Sequence, residues 1–171
     1  MSAILLTGYP GFIGGRLLEG LLKQRPAGTR YYLLVLPDML LRARRQLQDL
    51  EALHPALAGH WHLVEGDITR PGLGVSPQAS RWLTEHVTEV WHLAALYDLA
   101  APQEPSYRIN VDGTHHVLDL CETLPHLERL LYVSTCYVAG DRTGVVYEDE
   151  LDRGIYLRRI RDDKILIEYH L

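Results

Sequence analysis

A glycine-rich turn near the start of the chain limits its fold more than any other feature. The apolar run Ala3–Thr7 is predicted to be a strand and Phe12–Gln24 a helix, and between them Gly8, Gly11 and Gly14 have the spacing GxxGxxG. Glycine allows a tight turn and lets the backbone approach a bound group closely. In a strand–turn–helix context the free N–H groups at the helix start favour a dinucleotide pyrophosphate. A structural turn that holds no ligand is the alternative.

The rest of the chain alternates short apolar runs with amphipathic stretches. Such alternation is typical of βαβ units. Because crossovers are nearly always right-handed, we predict an α/β fold of the Rossmann type. It is a doubly wound parallel sheet of strand order 3-2-1-4-5 with helices on both faces, in a single domain over residues 1–171. The further predicted strands are Tyr31–Leu36, Trp61–Val64, Glu89–Leu93 and Arg129–Ser134. The further predicted helices are Leu40–Leu53, Ser80–His86 and a long helix with Tyr107, Val111, Leu118 and Cys121 on one stripe.

Composition excludes several classes of protein. With 17 basic and 22 acidic residues the net charge is −5, and a nucleic-acid-binding protein would carry a basic face. The two cysteines, Cys121 and Cys136, lack metal-like spacing, so we expect neither a disulfide scaffold nor a metal site. No signal peptide and no apolar run of membrane-spanning length is visible. We expect a cytoplasmic protein without a nucleic-acid or membrane partner.

Five segments in a fixed order resemble those of the extended short-chain dehydrogenases, a family that includes NAD-dependent epimerases and dehydratases. They are Thr7–Gly14, Gly66–Ile68, His92–Ala95, Asn110–Thr114 and Ser134–Thr135. The sequences of Trp91–Leu99 and Val133–Asp141 are most similar to those of the thioester reductase, or male-sterility-type, branch of this family. The resemblance implies an oxidoreductase that uses NADPH to reduce acyl thioesters carried by a carrier protein or by coenzyme A.

The same resemblance implies a set of cofactor contacts. Asp67 would meet the adenine amino group while Ile68 packs on the ring. The residues at the glycine turn would border the pyrophosphate, and those after the fourth strand would approach the ribose. The turn residues are Gly8, Tyr9, Gly11, Phe12, Ile13 and Gly14, and the residues after the fourth strand are His92, Ala94 and Ala95.

Several of these residues also have a structural interpretation. Asp67 could form an Asx-turn or cap a helix, and the His92 imidazole is expected to be a satisfied histidine at a strand end. Asn110 lies within a helix, where an amide competes with the backbone. We expect Asn110 to steady a neighbouring loop.

The choice between NADP and NAD depends on the end of the second strand. An acid there binds the ribose 2′-hydroxyl, and an arginine accepts a 2′-phosphate. Asp38 follows the strand, and Arg42, Arg44 and Arg45 lie just beyond it. The resemblance favours NADP, and Asp38 keeps NAD as the alternative.

The catalytic segment departs from the family pattern. Thr135 matches the hydroxyl that orients the carbonyl, although it could instead cap the turn after the strand. Lys164 matches the lysine of Tyr-x-x-x-Lys, but the tyrosine position holds Ile160, and Tyr156 lies one helical turn further back. An isoleucine cannot donate the proton that carbonyl reduction needs.

The resemblance also implies that family members continue beyond residue 171 with another strand and a small substrate domain. We therefore expect the N-terminal part of a longer reductase, a product altered near residue 155, or a natural short protein. Carrier protein or coenzyme A would then bind through the missing part, and the oligomeric state stays open. A dinucleotide-binding module or degenerate remnant without chemistry is the alternative function, and a nucleotide-sugar epimerase or dehydratase is the alternative enzyme.

Overall fold

The structure is a computed structural model that describes residues 2–98, 100–134 and 143–147. It contains five strands, β1 (Ala3–Leu6), β2 (Arg30–Val35), β3 (Trp61–Glu65), β4 (Glu89–His92) and β5 (Arg129–Tyr132). Its α-helices are α1 (Phe12–Gln24), α2 (Leu40–Leu53), α3 (Pro77–His86), α4 (Gln103–Tyr107) and α5 (Gly113–Glu122). Short 3₁₀ turns lie at Pro37–Met39, Pro55–Leu57 and Pro71–Gly74, and a π-helical segment, Arg108–Asp112, joins α4 to α5.

The five strands form one parallel sheet in the order β3-β2-β1-β4-β5. In the central strand, Ile4 pairs with Tyr31 of β2 and with Glu89 of β4. This topology confirms the predicted fold and strand order. The predicted strands differ from the observed ones by one or two residues at their ends, whereas the bounds of α1 and α2 agree with the prediction.

Both faces of the sheet are buried by helices. Successive residues of β1 point to opposite faces, so Ile4 and Leu6 belong to one apolar cluster while Ala3 and Leu5 belong to the other. Burial on both faces explains why the strands are nearly continuous apolar runs. The first cluster includes Leu18 and Leu21 of α1 with Ala43 and Leu47 of α2, and the second includes Leu83 of α3 with Val117 and Leu120 of α5.

The helical region after β4 differs from the prediction. Val111 is buried, but Tyr107 is 38% exposed, and Leu118 and Cys121 are only partly buried. The π-helical segment changes the phase between the two flanking helices, which a regular helical period does not anticipate. The buried positions are instead partly polar and include Ser106, Asn110 and Thr114.

Within the part of the chain that the structure describes, no helix has both the length and the apolarity that a membrane span requires.

Candidate functional site

The candidate site lies where β1 and β4 end side by side. The chain leaves β1 towards β2 on one side and leaves β4 towards β5 on the other. In an open parallel sheet, ligands bind outside the carboxyl ends of the strands at such a switch point. The loops that begin at Thr7 and Leu93 therefore form the two sides of the candidate cleft.

Gly8 allows these two loops to touch. Its φ is +83°, a conformation that L side chains rarely adopt. A Cβ added at Gly8 would lie 2.8 Å from the Leu93 carbonyl carbon and 2.9 Å from the Ala94 nitrogen. Only glycine fits at this position, because the atoms it would meet belong to the backbone.

The other two glycines pack around the carbonyl oxygen of Gly8. This oxygen accepts a hydrogen bond from the Gly11 N–H at 3.0 Å. A Cβ at Gly11 would lie 2.7 Å from it, and a Cβ at Gly14 would lie 2.6 Å from it. The first obstacle to a side chain at Gly11 or at Gly14 is therefore the turn itself. That these glycines border the pyrophosphate stays a prediction from the sequence.

The first turn of α1 is open to a ligand. Gly11 caps the helix but provides no side-chain hydrogen bond, and no acidic residue lies in the first turn. The leading N–H groups of a helix lack intrahelical partners, and its dipole is positive there. Phe12 and Ile13 are 80% and 61% exposed beside this turn. An anionic group such as a phosphate would be stabilised at this position.

Tyr9 belongs to the protein core. It is 4% exposed and packs in the cluster beneath α1 and α2, with its hydroxyl 3.5 Å from the Ala43 carbonyl oxygen. Burial, with a smaller contribution from Asp49, raises the pKa of Tyr9 to about 12. The Tyr9 side chain is therefore a core group, and the predicted cofactor contact of this residue would be made by its backbone.

Asp67 follows β3 and forms an Asx-turn, as its structural interpretation predicted. Both the N–H and the hydroxyl of Thr69 donate to its Oδ1 at 2.8 Å. Its Oδ2 lies 3.9 Å from Arg70 Nε, and the side chain is 27% exposed. Asp67 therefore keeps one carboxylate oxygen with room for a further donor.

Ile68 is largely buried beside Asp67. It is 7% exposed and belongs to the apolar cluster of α3 and α5. Its Cδ1 lies in the notch left by Gly113, where a Cβ would come within 2.8 Å. Protein thus covers most of its surface, and its packing on the adenine stays a prediction from the sequence.

His92 ends β4 as a buried histidine whose two ring nitrogens both have partners. Its Nδ1 lies 2.7 Å from Thr7 Oγ1, and its Nε2 lies 3.1 Å from Thr114 Oγ1. The residue is 1% exposed, and burial lowers the pKa of His92 to about 4. Its imidazole is therefore a satisfied core group and is closed to a cofactor.

The loop after β4 is held at both ends by polar side chains. Thr7 Oγ1 accepts the N–H groups of Leu93 and Ala94, each at 3.1 Å. The Asn110 amide accepts from the Leu96 N–H at 2.7 Å and donates to the Leu96 carbonyl at 2.8 Å. The loop-steadying role expected of Asn110 is confirmed. Because the Ala94 amide is occupied by Thr7, the exposed Ala95 is the freer cofactor contact of the two alanines.

The groups that would choose between NADP and NAD lie together after β2. Asp38 lies in the 3₁₀ turn that follows the strand, and Arg42 lies in the first turn of α2. Asp38, Arg42, Arg44 and Arg45 are all exposed. A carboxylate and three guanidinium groups are therefore exposed in the segment that follows β2.

The expected catalytic residues fall in a different part of the chain. Thr135 and Lys164, together with Ile160 and Tyr156, lie outside the described residues. Their assignment stays a prediction from the sequence.

Two residues that hold the site together were not assigned a role from the sequence. Thr7 is fully buried and Thr114 is 4% exposed, and each contacts His92. The sequence did offer one indication of these roles: Thr7 is a hydroxyl residue at the end of an apolar strand, and Thr114 is one within an amphipathic helix. A buried hydroxyl needs a hydrogen-bond partner, but the pattern alone does not say which.

Comparison with known proteins identifies the class and then the family. The fold and the glycine turn at the switch point are those of NAD(P)-binding Rossmann proteins. A family model of NAD-binding proteins, described as "Male sterility protein", matches residues 6–166. The chain belongs to this family.

Three similar proteins illustrate the relationship. Fatty acyl-CoA reductase wat of Drosophila melanogaster is 29% identical, the match covering 80% of this chain and 28% of the relative. The terminal R domain of the myxalamid PKS-NRPS pathway is 33% identical with a TM-score of 0.81, covering 98% of this chain and 44% of that structure. UDP-glucuronic acid 4-epimerase from Bacillus cereus, in complex with NAD, is 26% identical with a TM-score of 0.70, covering 98% and 50%. The chain spans about 30% of the length of the curated relatives it matches.

The buried His92 predicts a loss of stability in acid. Its pKa is lowered on folding from 6.5 to about 4, so the unfolded chain binds the proton more readily. The free energy of unfolding is therefore highest above pH 6.5, where His92 is neutral in both states, and it decreases as the pH falls towards 4. Between about pH 7 and about pH 5 we expect it to decrease by roughly 2 kcal/mol.

The measurement is urea unfolding at both pH values for the unmodified chain and for His92→Gln, which cannot titrate. His126→Gln, at an exposed histidine that precedes β5 at the amino ends of the strands, is the control and should keep the pH dependence of stability of the unmodified chain. If the free energy of unfolding changed equally with pH in the unmodified chain and in His92→Gln, His92 would not be the buried neutral histidine that destabilises the fold in acid.

Proposed function

We propose that this chain binds NADPH as part of an enzyme that reduces acyl thioesters. The observation that carries the proposal is the glycine turn at the switch point, with the uncapped first turn of α1 beside it. Membership of the male sterility family supports the dinucleotide. The names of the fatty acyl-CoA reductases and of the R domain support the acyl thioester as substrate class.

The described residues suggest how the dinucleotide is held. The first-turn amides of Phe12, Ile13 and Gly14 would face the pyrophosphate, because Gly11 leaves them uncapped. The Oδ2 of Asp67, which lies 3.9 Å from Arg70 Nε and accepts no hydrogen bond from Thr69, would accept one from the adenine amino group. Ala95 is exposed where the ribose would lie. When bound, NADPH supplies the hydride that, with one proton, converts the thioester to an aldehyde and a free thiol.

The chemistry at the carbonyl is assigned from the family resemblance. Thr135 would donate a hydrogen bond to the carbonyl oxygen, and Lys164 would lie beside the proton donor. The thiol released is that of coenzyme A or of a carrier protein, and either would be the enzyme's partner.

Cofactor choice is predicted to depend on Arg42. Its exposed guanidinium lies one turn beyond β2, so it can reach a 2′-phosphate but has no matching group on NADH. Arg42→Gln should weaken NADPH binding roughly tenfold, since a hydrogen bond to a charged group is worth about 1.5–3 kcal/mol. The affinity for NADH should not change. Isothermal titration calorimetry with both dinucleotides is the measurement.

Two further variants complete this test. Arg81→Gln removes an exposed arginine from α3 on the other face of the sheet and should leave both affinities unchanged. Asp38→Asn tests the NAD alternative, because Asp38 could bind the ribose 2′-hydroxyl. Tighter NADH than NADPH binding, together with a loss of NADH affinity in Asp38→Asn, would overturn the choice of NADPH.

Specific observations favour two other functions. The match to an epimerase in complex with NAD favours nucleotide-sugar chemistry on the same cofactor half. The isoleucine at position 160 favours a dinucleotide-binding module without chemistry.

A turnover assay tests the assignment of the proton donor. We expect the unmodified chain with NADPH and a fatty acyl-CoA to show no appreciable NADPH oxidation, because loss of a general acid costs about 10²–10⁴-fold in rate. Ile160→Tyr is the variant that restores the hydroxyl, and Ile160→Phe is its matched control without one. Robust turnover by the unmodified chain would show that the proton donor is misplaced, and faster turnover in Ile160→Tyr than in Ile160→Phe would support its assignment.

A further inference from the structure

A buried chain of hydrogen bonds crosses the molecule behind the candidate cleft. It runs from Thr7 at the end of β1 through His92 at the end of β4 to Thr114 on α5. The three residues are 0%, 1% and 4% exposed. Polar groups this deeply buried cost stability unless every donor and acceptor is satisfied.

The donors and acceptors at Thr7 determine which group donates in each hydrogen bond of this series. A hydroxyl has one proton and two acceptor positions. The N–H groups of Leu93 and Ala94 occupy both acceptor positions of Thr7 Oγ1. The Thr7 proton must therefore donate to His92 Nδ1, 2.7 Å away, so Nδ1 carries no proton.

The other ring nitrogen then carries the proton of the neutral imidazole. His92 Nε2–H donates to Thr114 Oγ1 at 3.1 Å. The Thr114 hydroxyl in turn donates to the Asn110 carbonyl at 2.8 Å, within the π-helical segment. Each proton in the chain thus has one acceptor, and a single tautomer satisfies all of them. The lowered pKa of His92 agrees with a neutral ring.

The ends of this chain are the groups that shape the cleft. Thr7 holds the first two amides of the loop after β4, and the second of them, the Ala94 N–H, belongs to the backbone that lies against Gly8. Asn110, at the other end, holds both backbone groups of Leu96. His92 is the only described side chain that contacts both Thr7 and Thr114 through hydrogen bonds. The position of the loop relative to the glycine turn therefore depends on this imidazole.

We propose that His92 is a positioning residue of the dinucleotide site, held as the Nε2–H tautomer between Thr7 and Thr114. It does not touch the cofactor, and it acts by keeping the loop after β4 in register with the glycine turn. This role rests on the proposed dinucleotide binding.

The first test is the tautomer itself, measured by ¹⁵N NMR on the unmodified 171-residue chain. The His92 signals are identified by their loss in His92→Gln. We expect Nε2 to resonate as a protonated nitrogen and Nδ1 as an unprotonated one. An Nδ1–H tautomer, or an averaged mixture of the two, would overturn the proposal whether or not the chain binds a dinucleotide.

The second test is affinity for NADPH by calorimetry. His92→Leu removes both hydrogen bonds and should weaken binding about tenfold. His92→Gln should retain much of the affinity, because its amide can supply an acceptor oxygen and an N–H donor in place of the two ring nitrogens. Thr7→Val and Thr7→Ser form the second pair, with loss expected only for valine.

Thr29→Val is the matched control for the loss of a buried hydroxyl. Thr29 is 4% exposed, and its hydroxyl donates to Pro26 far from the cleft, so NADPH affinity should be unchanged. Unchanged affinity in His92→Leu or Thr7→Val would overturn the positioning role. If the unmodified chain bound no dinucleotide, the proposed function would fail and the positioning role with it, while the tautomer would still be read from the spectrum.

Discussion

The contact between Gly8 and the backbone of Leu93 and Ala94 is the constraint on which the rest of the site depends. A side chain at Gly8 would come within 3 Å of main-chain atoms that cannot move without displacing β4. With the turn pressed against the neighbouring loop, the Gly8 carbonyl points at α1, and Gly11 and Gly14 must also lack side chains. The first turn of α1 is thereby placed at the switch point with its amides free. The three glycines are thus required first for the close packing of the turn itself, and that packing in turn places the helix start for a ligand.

The site is supported by a polar interior within an otherwise apolar core. Leu5 and Leu6 are fully buried in β1, and the next residue, Thr7, is equally buried but hydrogen-bonded on all sides. A satisfied polar network specifies one arrangement more sharply than apolar contacts do, because an unpaired buried group is costly. The π-helical segment belongs to the same arrangement, since it supplies the Asn110 amide and carbonyl that complete the network. This is how a loop without regular structure is held in one shape.

The fold was predictable because its signals are local and repeated. The bounds of α1 agree because Gly11 precedes the helix and Pro26 follows it closely. The start of α3 was predicted three residues late, although Ser76 followed by Pro77 is a recognised helix start, and Ser76 does accept from the Ala79 N–H. The prediction of which residues are buried in the helical region after β4 was wrong, because a regular helical period does not reveal a π-helical segment.

The site was only partly predictable for a different reason. Gly8, Gly11 and Gly14 could be selected from their spacing between a predicted strand and a predicted helix, and Asp67 from its place after a strand together with the family resemblance. The roles of Thr7 and His92 depend on contacts between residues 85 positions apart in the chain, which no local pattern encodes. For the same reason the burial of Tyr9 and Ile68 became visible only once the helices were packed.

The role of the glycine turn is tested most directly by the NADPH affinity of Gly14→Ala beside that of Gly20→Ala, both on α1. A Cβ at Gly14 would lie 2.6 Å from the Gly8 carbonyl, whereas one at Gly20 meets nothing within 4 Å. We predict that Gly14→Ala displaces the turn and weakens NADPH binding at least about tenfold, or 1.4 kcal/mol. Gly20→Ala should bind as the unmodified chain does, with both variants shown to be folded by circular dichroism. Equal affinity in Gly14→Ala and the unmodified chain would contradict the claim that this turn holds the dinucleotide.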